Sequence, residues 1–121
     1  MMGKVAELSS SKLGLEKNNG RKVLKISKSL TYQNCEEVEA TFKDYLDQQK
    51  NEIIIDFSKI SFLDSAGLEL LLQMHNELKQ QGSDLKLVHL DELCLDILKI
   101  TRLINVFRIY EDMNNAIKDT I

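Results

Sequence analysis

The residues with the clearest chemical potential lie between an isoleucine run and an apolar helical stretch, in Leu63-Asp64-Ser65-Ala66-Gly67-Leu68. The spacing places Ser65 at or beside the N-cap of a helix. The plainest task for such a serine is capping, in which its oxygen accepts a first-turn N–H and stabilises the helix by ~1 kcal/mol. The same hydroxyl suits a second use. A phosphate at a helix N-terminus is favoured by unpaired N–H groups and the helix dipole, and it brings roughly -1.5 to -2 charges at neutral pH. Asp64 beside it would add like-charge repulsion. A modification there could block docking of an acidic or apolar partner without unfolding anything. The small residues Ala66 and Gly67 would let another protein's backbone approach Ser65 closely, or let the helix start pack tightly on a sheet.

Catalysis fits these residues poorly. A nucleophile elbow wants Gly-x-Ser-x-Gly, and Leu63 stands where the first glycine belongs. A triad needs a histidine within hydrogen-bond reach. His75 lies some ten residues along the same helix, roughly 15 Å down its axis, and His89 has no obvious acidic partner. His89 and Cys94 are the nearest pair of soft metal ligands, with no CxxC or HxxxH spacing. Neither GxGxxG nor GxxxxGK[ST] is present to cradle a phosphate. The expectation is no catalytic residue, no metal and no cofactor.

Composition bounds the alternatives. The 121 residues suit one domain with a single core. Hydrophobic residues make up 43% and charged residues 29%, which is ordinary for a globular protein and wrong for disorder. A formal net charge of -3 gives no basic face for nucleic acid. No apolar run approaches the ~20 residues that span a bilayer, and the N-terminus lacks an apolar secretion core. The expectation is a cytoplasmic protein, monomeric or weakly dimeric, that neither inserts in a membrane nor binds nucleic acid. Cys35 and Cys94 both fall in apolar helical patterns and read as reduced, partly buried thiols.

The elements that must position Ser65 follow from periodicity. Residues 1–11 show none and read as a flexible tail, with a single domain over 12–121. Leu13 and Leu15, then Leu24 and Ile26, alternate on either side of Asn19-Gly20, a hairpin signal. A helix is expected to about Gln49, with Val38, Phe42, Tyr45 and Leu46 on one face and Asn34 and Glu37 at capping-box spacing. Ile53-Ile54-Ile55 is apolar without alternation, as in an interior parallel strand. The helix from Ala66 to about Gln81 is expected to turn Leu68, Leu71, Leu72, His75 and Leu78 inward, with Gly82 closing it. A strand over Asp84–Leu90 precedes a short helix capped by Asp91, with Leu93, Cys94, Ile97 and Leu98 on one side. A last strand, Phe107–Tyr110, leads to a helix started by Asp112. The order ββαβαβαβα implies an α/β fold with a mostly parallel sheet and right-handed crossovers. Functional groups in such sheets collect beyond the strand C-termini, which gathers Asp56, Asp64-Ser65, the Leu30-Thr31 turn and His89.

Two families share this pattern. A two-component receiver domain would use Asp56, after Ile53-Ile54-Ile55, as phosphoacceptor. It also needs an acidic pair after its first strand to hold magnesium and a lysine after its last, and both are missing here. The closer likeness is to STAS domains, which include anti-sigma factor antagonists and the cytoplasmic tails of sulfate transporters. Ile53-Ile-Ile-Asp-Phe-Ser-Lys-Ile-Ser-Phe-Leu-Asp-Ser-Ala-Gly-Leu68 resembles their signature, and the likeness continues through Gly82–Val88 and Leu98–Leu103 to Phe107. The resemblance implies a STAS fold of four to five strands, an N-terminal antiparallel hairpin and about four helices. It also implies an anti-sigma factor antagonist that binds an anti-sigma factor with serine kinase activity. The kinase would phosphorylate Ser65 and break the complex, and a phosphatase would restore it, with ATP belonging to the partner. The implied contact residues are Thr31, Asn34, Ser61, Phe62, Asp64, Ser65, Ala66, Gly67 and Leu68. Family members that carry a Gly-Glu-Leu-Asp-like turn have an aspartate where this chain has Thr31. The resemblance also admits an accessory subunit of a transporter or of a stress-signalling complex.

Overall fold

The computed structural model describes residues 13–18, 21–26, 29–46 and 52–119. The elements follow the expected order: β1 (Leu13–Asn18), β2 (Arg21–Ile26), α1 (Cys35–Leu46), β3 (Ile53–Asp56), α2 (Ser65–Gln80), β4 (Leu85–Val88), α3 (Glu92–Ile100), β5 (Arg108–Tyr110) and α4 (Met113–Lys118). The five strands form one sheet in the order β1-β2-β3-β4-β5. β1 pairs antiparallel with β2, in a register that sets Asn18 opposite Arg21, and every later neighbour is parallel. The tail over 1–11, the Asn19-Gly20 turn and the continuation of α1 to Gln49 lie outside the described residues.

The isoleucine run of β3 is buried along its whole length because both sheet faces are covered. Ile53 and Ile55 face the main core, where they meet Val38 and Phe42 of α1, Leu70, Leu71, Met74 and Leu78 of α2, and Cys94 and Leu98 of α3. Ile54 points the other way, into a smaller cluster with Val23, Val88 and Ala116 of α4. This is period-2 geometry with helices on both sides.

Several boundaries differ from expectation for local reasons. β4 ends at Val88, before His89 and Leu90, because His89 turns to φ 62 and leaves the extended region. β5 begins one residue later than expected, at Arg108. Gly82 closes α2 as expected, at φ 75, with Gly82 N–H on Lys79 O and Ser83 N–H on Leu78 O, the paired bonds of a Schellman motif. Asp91 and Asp112 cap α3 and α4 through Cys94 N–H and Asn115 N–H.

One buried residue was hidden in the sequence. Lys86 lies in the middle of β4 with no exposed surface. Its ammonium donates to Ala116 O at 2.6 Å and to Asp119 O, and sits 3.0 Å from Glu52 Oε1. The Tyr110 ring centroid is 5.4 Å away, and the Tyr110 hydroxyl donates to the Asp119 carboxylate. A buried ammonium is tolerated only when paired and hydrogen-bonded. Lys86 thereby pins the end of α4 over the second sheet face. Lys86→Ala is expected to lower the unfolding free energy in urea by about 3 kcal/mol, and a loss under about 1 kcal/mol would contradict this role.

Candidate functional site

The site forms where the chain after β2 meets the chain after β3. Leu30 and Leu63 pair as an isolated parallel bridge, with Leu30 N–H on Phe62 O at 3.1 Å and Asp64 N–H on Leu30 O at 3.4 Å. Both leucines are buried. The Leu30 carbonyl then lies against the first turn of α2 so closely that a Cβ on Gly67 would stand 2.3 Å from its oxygen. Glycine is needed here for contact distance and not for an unusual φ. The same contact sets the rotation of α2. Gly67, Leu70, Leu71, Met74 and Leu78 face inward, whereas Leu68, Leu72 and His75 of the expected stripe are only partly buried.

Asp64, and not Ser65, caps α2. Its Oδ1 accepts Gly67 N–H at 2.9 Å and its Oδ2 accepts Tyr32 N–H at 3.0 Å. Aspartate caps as well as serine, and its second oxygen lets it tie the 31–34 turn to the helix as well. Desolvation pushes the Asp64 carboxyl up, but the N–H donors of Gly67, Tyr32 and Ala66 outweigh it and hold the group below its ordinary value. Ser65 becomes the first helical residue. It is exposed, and its hydroxyl has no hydrogen-bond partner among the described residues.

The 29–34 turn is stitched from within. Thr31 O accepts both Asn34 N–H and Cys35 N–H. Asn34 Oδ1 accepts Thr31 N–H at 3.0 Å, and its Nδ2 donates to Ser29 O at 2.9 Å. Asn34 is therefore spent on its own turn, which overturns the expectation that its side chain caps α1. Thr31 is half-buried, with Oγ1 accepting Gln33 N–H at 3.3 Å, and Ser61 Oγ lies 3.3 Å from Ser29 Oγ. Thr31, Asn34, Ser61, Phe62, Asp64, Ser65, Ala66, Gly67 and Leu68 thus converge at one end of the sheet. Asn34 and Gly67 are buried, so they shape this surface rather than form it. Tyr32, absent from the sequence-derived set, is 73% exposed, and Phe62 is 46% exposed. The pointer to Tyr32 is Asp64: an aspartate cap has a second oxygen to satisfy.

The other candidates lie apart or are engaged elsewhere. Asp56 is buried with Oδ1 on Ser58 N–H at 2.9 Å, and no group of three or more His, Cys, Asp or Glu side chains suited to a metal ion occurs among the described residues. His89 is exposed just past β4. His75 packs edge-on to Phe107 at 5.7 Å, and desolvation followed by Lys79 pushes its pKa down. It lines an open cleft of about 570 Å³ with Lys79, Asp84, Asn105, Phe107 and Arg108, at the N-terminal ends of β4 and β5 and so at the opposite end from Ser65. Both cysteines are free. Burial raises the Cys94 thiol to about 12, and its Sγ lies 3.7 Å from Ile60 O, so it serves as core.

This chain belongs to the STAS domain family, whose family model matches residues 12–116. It is similar to BtrV of Bordetella bronchiseptica, provisionally designated an anti-sigma factor antagonist, with 23% identity over 79% of this chain and 83% of BtrV. A Thermotoga maritima structure with the same provisional designation superposes at TM-score 0.81, with 21% identity over 86% of this chain and 90% of that one. The Bacillus anti-sigma factor antagonist SpoIIAA, solved in unphosphorylated and phosphorylated forms, superposes at 0.67 and 0.65. Identity to it is 19% and 20%, over 88% of this chain and 94% and 96% of SpoIIAA. No helix among the described residues is long and apolar enough to cross a membrane.

Two outcomes test this geometry. Gly67→Ala is expected to cost about 2 kcal/mol in chemical denaturation through overpacking on Leu30, although alanine is the better helix former by about 1 kcal/mol; an unchanged or higher stability would contradict the contact. Asp64, with its folded pKa depressed, contributes stability above the unfolded carboxylate pKa and loses it as pH falls through the folded value. The stability gap between wild type and Asp64→Ala should therefore be flat above about pH 5 and shrink below about pH 3.9. A gap independent of pH would mean that the carboxylate is not the cap.

Proposed function

We propose that this chain is a non-catalytic switch of the anti-sigma factor antagonist type. It binds an anti-sigma factor with serine kinase activity and is inactivated by phosphorylation on Ser65. A phosphatase reverses the change, and ATP belongs to the kinase. The switch works in the cytoplasm, without metal or cofactor. The observation that carries this reading is that Asp64 does the capping, which leaves the Ser65 hydroxyl exposed and without a partner among the described residues. Family membership and the designations of similar proteins support it, as does the existence of SpoIIAA in a phosphorylated form.

The physical consequence of the modification is local. A phosphoserine brings roughly -1.5 to -2 charges to a residue adjoining the Asp64 carboxylate, on a surface where Tyr32 and Phe62 offer apolar contact. A partner that buries those rings must also desolvate the phosphate, and an unpaired buried charge is far costlier than a buried hydroxyl. Thr31 supplies a neutral hydroxyl where the family's turn offers a carboxylate, so the partner's matching position is expected to lack an obligatory cation.

Affinity copurification from the native cell with Ser65→Ala and Ser65→Asp as baits tests this directly. The alanine bait is expected to retain a sigma-regulating kinase, and the aspartate bait to recover at least ~10-fold less, a difference of about 1.4 kcal/mol. Equal recovery on both baits, or capture of a transporter ATPase in its place, would reject the proposal.

A further inference from the structure

α3 has apolar residues on two sides. Cys94 and Leu98 are buried in the core, while Leu93 is 49% and Ile100 80% exposed. Ile97, between them, is partly buried and touches the core. Positions 93, 97 and 100 stand at i, i+4 and i+7, which makes them one ridge on the helix surface. A ridge of this spacing is what one helix offers another.

The charges beside the ridge indicate which helix fits. Glu92 lies in the first turn of α3 and Lys99 in the last. Neither makes an ion pair among the described residues. If a second copy of α3 is laid antiparallel about a two-fold axis near Ile97, Leu93 meets Ile100 of the second copy and Glu92 meets Lys99 of the second copy. Symmetry makes each contact twice. Asp96 lies on the same flank and meets its own copy near the axis, a repulsion that keeps the pair weak. Size points the same way: nine residues make a helix about 14 Å long, and two of these cover well under the ~1,200 Å² of a standard interface.

We propose that α3 is a self-recognition surface, through which two copies of this chain pair antiparallel along Leu93, Ile97 and Ile100. The association is weak and concentration-dependent.

Sedimentation equilibrium between about 10 μM and about 1 mM, spanning the range of weak association, reads the outcome. The wild-type mass is expected to rise from 13.9 kDa toward twice that value across the range. Ile100→Glu, at a site already exposed, should weaken pairing at least tenfold with an unchanged circular dichroism spectrum. Glu92→Lys should weaken it several-fold, Glu92→Lys with Lys99→Glu should restore it, and Asp96→Asn should tighten it. A wild-type chain that stays at monomer mass, a dimer indifferent to Ile100→Glu, or a double swap that remains monomeric would overturn the proposal.

Discussion

The close approach of the Leu30 carbonyl to the first turn of α2 is the constraint on which the rest of the site depends. It demands a residue without a Cβ at position 67, and it fixes which row of α2 side chains enters the core. It also brings the turn after β2 alongside the loop after β3, so that Tyr32 N–H comes within reach of Asp64. Once Asp64 holds that N–H and the helix start together, the adjacent serine has no structural task. Its availability follows from tight packing beneath it and not from looseness around it.

The sheet divides the molecule into a rigid body and a working edge. The main core fills one face with α1, α2 and α3, and the smaller cluster under α4 fills the other. Lys86 serves the second face, where a six-residue helix has too little apolar surface to dock by burial alone. Its ammonium bonds the last carbonyls of α4, a favourable place for a cation near a helix C-terminus. The opposite pole, with the His75 cleft, has its charges largely paired: Arg108 lies 3.0 Å from Asp84 and 3.2 Å from Asp119. Of the two poles, the one where Tyr32 and Phe62 emerge is the one that exposes aromatic side chains.

Much of this was legible in the chain itself, because the signals were local. The unbroken isoleucines of β3, the aspartate caps of α3 and α4, and Gly82 at the end of α2 each state their role through nearest neighbours. Where the structure decides between readings, it does so through hydrogen bonds and packing that local periodicity does not report. Ser65 and Asp64 are equally good caps by sequence, and only Tyr32, brought over by the Leu30–Leu63 bridge, decides between them. Asn34 has a capping residue's spacing but is consumed by Ser29 and Thr31 within its own turn. The inward stripe of α2 keeps Leu71 and Leu78 but differs from expectation by part of a turn elsewhere, because Leu68, Leu72 and His75 satisfy helical periodicity as well as Leu70 and Met74 do. Lys86 gave no warning, since a lysine in a strand ordinarily points to solvent, and its partners lie just before β3, within α4 and just beyond it.

Site mapping on the protein recovered from its own cells bears most directly on the central claim, that Asp64 capping leaves Ser65 as the residue offered for modification. Trypsin releases residues 60–79 as one peptide that contains both Ser61 and Ser65, and fragmentation by mass spectrometry separates the two. A single phosphate on Ser65, present in one physiological state and absent in another, is the expected result. A phosphate found on Ser58 or Ser61 with Ser65 unmodified in every state would contradict it.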